Sequence, residues 1–73
     1  MMDEKRQILY MQVRLVRLAS EEWNVSIRDI GKLFYDNGVF DYIYKLWDMF
    51  HIEGDYAVLD DIKSYLQSRE VTI

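Results

Sequence analysis

Ile8-Leu9-Tyr10-Met11-Gln12-Val13-Arg14-Leu15-Val16-Arg17-Leu18-Ala19-Ser20-Glu21-Glu22-Trp23 is the segment around which the rest of the chain must arrange itself. As a helix turning about 100° per residue, its apolar side chains cover an arc of roughly 220°. The arc is made by Leu18, Met11, Leu15, Ile8, Ala19, Trp23, Val16, Leu9 and Val13. The polar remainder is a strip of Gln7, Arg14, Arg17 and Glu21, with Tyr10 lying in it. Packing one face on a small core needs a stripe of only about 100° or a little more. This helix is therefore either wrapped by the rest of the chain or shared with another molecule.

Composition sets the outer bounds. Over 73 residues one domain and one core are expected, spanning 1–73 as a single helical unit. Apolar residues make up 51% and aromatic residues 15%, which favours a globule over a disordered tail. The margin is thin, because ordering each residue costs about 1.5 kcal/mol and a small core recovers little more. Cysteine is absent and histidine occurs once, so neither disulfides nor a structural metal site is expected. Good helix packing and oligomerisation remain as routes to stability, and the wide arc suits the second.

The N-terminus, Met1-Met2-Asp3-Glu4-Lys5-Arg6, lacks the continuous apolar run of a signal peptide. No run approaches the ~20 apolar residues that span a bilayer. A soluble cytoplasmic protein with no membrane contact is the expectation.

The net charge of −4 is unevenly placed. Residues 1–35 carry six basic and five acidic side chains, residues 36–73 three basic and eight acidic. Nucleic-acid binders need Lys and Arg to displace counterions from phosphate, so the second half has the wrong sign. An acidic face suits a basic protein partner, although a solvated surface that promotes solubility explains it equally well.

The rest of the chain reads as helices separated by short breaks. Asp3 caps a first helix over 3–23, and Asn24-Val25 end it. Ser26, with Asp29 three positions on, caps a second over 27–36, in which Ile27, Ile30 and Phe34 share a face. Asn37-Gly38 tolerate the left-handed conformation of a helix end. A third helix follows over 39–50, with Val39, Phe40, Ile43, Leu46, Trp47 and Phe50 on one broad face and Asp41, Lys45 and Asp48 outside. Tyr56-Ala57-Val58-Leu59 reads as extended, at most one short strand. Asp60 then caps a fourth helix over 60–68, and Glu70 to Ile73 is a loose tail. The fold class is all-α, a four-helix domain with short turns.

Catalytic signatures are lacking. His51 has Glu53 and Asp55 nearby, but one imidazole and two carboxylates in a turn make a poor metal site. A role at the C-terminus of the third helix, where donors and positive charge are favoured, explains His51 better. Glu21-Glu22 and Asp60-Asp61 are adjacent helical residues about 100° apart, so neither pair forms a shared-proton dyad. There is no Gly-rich phosphate loop. A DNA-reading helix-turn-helix would place Asp41 and Asp48 against phosphates. Tyr10, Tyr35 and Tyr44 fall toward polar arcs, as tyrosines on protein-binding surfaces do. Tyr10, Arg14, Arg17 and Glu21 form one mixed patch.

Asn24-Val25-Ser26, Leu33-Phe34, Gly38-Val39-Phe40-Asp41-Tyr42-Ile43, His51, Gly54 and Asp60-Asp61-Ile62 form a series. It resembles a family of short bacterial proteins, domain of unknown function 3791. The similarity runs from the middle of the first helix to Ser68 and is most specific over Asn37–Ile43. The resemblance implies no catalytic residue and no cofactor. It implies companions of other genes, some neighbouring ADP-ribosyltransferase-like proteins, and hence an antitoxin-like or accessory role.

The expectation is thus a non-enzymatic interaction module for a larger, basic partner, such as a toxin-like enzyme encoded nearby. Leu9, Val13, Val16, Tyr10, Arg14, Arg17, Asp41 and Asp48 are the expected partner-binding residues. The alternatives are a homodimer paired through its first helices and a DNA-binding regulator using Arg14, Arg17, Arg28 and Lys32.

Overall fold

A computed structural model describes residues 3–72. Four helices follow one another: α1 Glu4–Trp23, α2 Ile27–Asp36, α3 Val39–Phe50 and α4 Asp55–Ser68. Among the described residues there is no strand.

Each boundary has a local cause. Asp3 is extended, and its carboxylate accepts the Lys5 backbone N–H at 3.4 Å, satisfying a donor that α1 leaves open. Asn24 ends α1 in the left-handed region at φ 55°, and the Ser20 hydroxyl donates to the Val25 carbonyl at 2.6 Å, tying the turn. The Ser26 hydroxyl accepts the Asp29 N–H at 3.1 Å and starts α2. Gly38, at φ 69°, lets the chain reverse directly into α3.

The last helix differs from the sequence expectation. Tyr56-Leu59 is not extended; it forms the first turns of α4, which begins five residues ahead of Asp60. Gly54 holds the extended N-cap conformation, and Asp55 puts a carboxylate at the positive end of the helix. Val58, Leu59, Ile62 and Leu66 are then buried at spacings of three and four. Four apolar residues in a row carry no period of their own, so only the continuation to Ile62 and Leu66 makes them helical. The tail also differs. Glu70 turns left-handed at φ 64°, and the Val71 N–H donates to the Leu66 carbonyl at 3.0 Å. This is a Schellman closure, and Val71 packs on the core beside it. Ile73, the end of the expected tail, lies outside the described residues.

The first helix is the hub, touching each of the other three. Its fully covered residues are Ile8, Met11, Leu15 and Ala19, which span only about 80° of its circumference. Val16, Leu18 and Trp23 pack at the margin of the core. Ile30 and Phe34 of α2, Val39, Ile43 and Phe50 of α3, and the buried row of α4 complete it. Phe34 sits edge-on to Trp23 at 6.2 Å and to Phe40 at 5.8 Å, joining the first three helices. Ile27 shares the face of Ile30 and Phe34 as expected but is not buried with them. It lies in the first turn of α2, beyond the reach of the core, and is 55% exposed.

Candidate interaction groove

The uncovered part of the α1 arc has a shape. Leu9, Val13 and Val16 form one wall of an open groove of about 560 Å³. Ile27 and Gly31 of α2 form the other wall, and Gln12, Arg17 and Phe40 complete the lining. Leu9 is 53% exposed and Val13 44% exposed. The Gln12 side-chain amide donates to the Phe40 carbonyl at 2.9 Å, fixing α1 to α3 beside the groove.

Gly31 lies inside α2, where glycine costs about 0.5–1 kcal/mol relative to alanine. Nothing in the chain requires it, because a Cβ built there meets no atom within 4 Å. A side chain there would project into the open groove.

The surroundings are basic. Arg6, Leu9, Val13 and Arg17 follow at spacings of three and four, so they share one row of α1. Lys5 stands one turn before Leu9, and Arg28 one turn before Gly31 on α2. Lys5, Arg6, Arg17 and Arg28 are exposed and form no ion pair among the described residues. Glu21, the acidic residue that follows on this side of α1, lies a full turn beyond Arg17.

The other expected partner-binding residues lie elsewhere. Tyr10 and Arg14 belong to a separate depression of about 330 Å³ with Gln7, Met11, Trp47 and His51. Arg14 is held there by both oxygens of Asp55, at 3.1 and 3.4 Å. The mixed patch read from the sequence thus borders two depressions, with Arg17 lining the groove and Tyr10 and Arg14 lining the second. His51 caps α3: its Nδ1 lies 2.9 Å from the Trp47 carbonyl, and its ring stacks on Trp47 at 4.4 Å. Asp41 is on the outer face of α3, paired with Lys45 at 3.0 Å, and Asp48 is exposed on the same face. Among the described residues no group of three or more His, Cys, Asp or Glu side chains comes together as a metal site would need.

One polar cluster joins α3 to α4. The Tyr42 hydroxyl donates to Asp61 at 2.7 Å, and its ring stacks on Tyr65 at 4.2 Å. Burial, then the hydrogen bond and charge of Asp61, push the Tyr42 hydroxyl up to about 12. The Tyr65 hydroxyl donates to the Asn37 carbonyl at 2.9 Å, closing the α2–α3 turn onto α4. These bonds tie α2, α3 and α4 together.

Ile27, Gly31, Phe40 and Gln12 are groove residues that sequence reasoning did not single out. Gly31 carried the one available signal, as the glycine that neither turn explains.

Fold and site together define a small all-α domain that presents an apolar groove between its first two helices. A family model described as protein of unknown function (DUF3791) matches residues 10–69, and the chain belongs to that family. The comparison with curated proteins gave no match, and neither did the comparison with solved structures. No described helix is long and apolar enough to cross a membrane.

Proposed function

We propose that this domain is a non-enzymatic interaction module that binds a larger protein through the α1–α2 groove, in an antitoxin-like or accessory role. One observation carries the reading. Leu9, Val13 and Ile27 stand about half exposed in one groove, although the same helices bury Leu15 and Ile30 completely. The chain covers the middle of its apolar arc and leaves the edge to something else. Asp41 and Asp48 lie outside this groove, so a basic partner would meet them with a different part of its surface.

The two other readings draw less support. A homodimer through the groove would set the same basic row on both sides of a self-complementary interface. A DNA regulator would use Arg14, Arg17, Arg28 and Lys32, but Arg14 is paired with Asp55 and Lys32 with Asp36 at 2.9 Å.

The test is the mass of the purified protein by light scattering, alone and mixed with the products of neighbouring genes. A stoichiometric complex that is lost in the Leu9→Gln/Val13→Gln variant is the expected result. Dimer mass that ignores every neighbour would overturn it in favour of self-assembly. A salt-dependent shift of promoter DNA, with no protein complex, would overturn it in favour of the regulator.

A further inference from the structure

We propose that the occupant of the groove is an amphipathic helix of the partner protein, with apolar residues facing Leu9, Val13 and Ile27 and acidic residues at both ends of that row. The inference rests on the interaction-module reading and adds the chemistry of the bound segment.

Three features of the groove select this occupant. First, there is no sheet edge among the described residues to extend, and an aliphatic lining with Phe40 as its one aromatic side chain lacks the aromatic row that captures proline-rich segments, which favours an apolar helix laid in the groove. Second, Leu9 to Val16 is a span of roughly 10 Å at 1.5 Å per residue, which matches about two turns of a bound helix and the anchor spacing i, i+3 or i+4, i+7. Gly31 clears the opposite wall, where an alanine would project into space that no atom of this chain occupies. Third, the charges are of one sign. Arg6 and Arg17 bracket the row about 16 Å apart along the axis, and Arg28 stands on the far side. Cations with no partner at home are satisfied by carboxylates on the occupant, placed about eleven residues apart around its apolar anchors. The same charges oppose a second copy of this chain, since either a parallel or an antiparallel pairing of α1 helices sets arginine against arginine.

The test uses a displayed library of helical peptides selected on the purified full chain. Three positions at i, i+4 and i+7 are randomised, and the flanking positions vary among Glu, Gln and Lys. The expected outcome is enrichment of Leu, Ile, Val, Phe or Met at the inner positions and of Glu over Lys at the flanks. A selected peptide should bind the Val13→Gln variant at least tenfold more weakly. The R6E/R17E/R28E variant changes only exposed side chains and should invert the preference, binding the Lys-flanked form of that peptide more tightly than the Glu-flanked form. Peptides that depend on Val13 but favour Gln or Lys flanks would overturn the acidic-helix inference and leave the interaction module standing. Selection of no peptide, or of peptides indifferent to Val13, would overturn the inference and remove the groove as the binding surface.

Discussion

Replacing Leu9 and Val13 together by glutamine separates interface from core, and the structure fixes the expected size of the effect. Complete burial of a Leu or Val side chain is worth about 1.5–3 kcal/mol. Both residues are about half in water already, and glutamine retains part of the stem that touches the helix surface. Glutamine is also at least as good a helix former as valine. The double variant should therefore lose on the order of 1 kcal/mol. Leu15 lies two residues beyond Val13, on the covered side of the same helix, and is fully buried; Leu15→Ala should cost about 2–5 kcal/mol. The total stability of a domain this size is about 4–11 kcal/mol at typical per-residue values, so the two outcomes are far apart. Urea titration followed by circular dichroism reads both. The double variant should keep its helicity and a midpoint near that of the parent, while Leu15→Ala shifts well to lower urea. If the double variant falls as far as Leu15→Ala, or loses its helicity, the exposed edge of α1 is core and the reasoning fails.

Gly31→Ala should act in opposite directions on folding and binding. Helix propensity raises stability by about 0.5–1 kcal/mol, while the new methyl narrows the groove and weakens any segment bound there; paired thermal melts and binding titrations show whether the two effects part. Gly38→Ala forces a side chain into the left-handed region within 3.5 Å of the Tyr65 hydroxyl and should destabilise by about 1 kcal/mol, seen as a lower urea midpoint. Tyr42 supplies a pH dependence. Its hydroxyl is raised in the folded state, so the stability it contributes is complete below about pH 10 and is lost as the pH climbs through about 12. Solvent screening of this partly buried pair reduces the effect to on the order of 1 kcal/mol; Tyr42→Phe should flatten the alkaline limb of stability against pH, and an unchanged limb would show that the Asp61 bond contributes nothing. Arg14→Ala should cost at most about 1 kcal/mol, and less at high salt, because the Asp55 pair is exposed.

Most helix boundaries are written in the residues beside them. Ser26 before Ile27, Asn37-Gly38 before Val39 and Asp3 ahead of the long apolar arc are short-range signals. Capping hydrogen bonds and left-handed turns act over two to four residues, so they are legible locally. The start of α4 was not legible, because Tyr56-Leu59 is helical only through the burial of Val58 and Leu59 beside Ile62. The surplus width of the α1 arc was visible as well, but not its division. That division depended on where three other helices came to lie, which is set by packing between residues distant in the chain. Tertiary structure alone placed Ile27, Gly31 and Phe40 beside Leu9 and Val13, left Arg17 unpaired in the same lining, and put Tyr10 and Arg14 in a second depression with His51. A helix period records which residues share a face; which part of that face stays in water is decided by the helices that cover it.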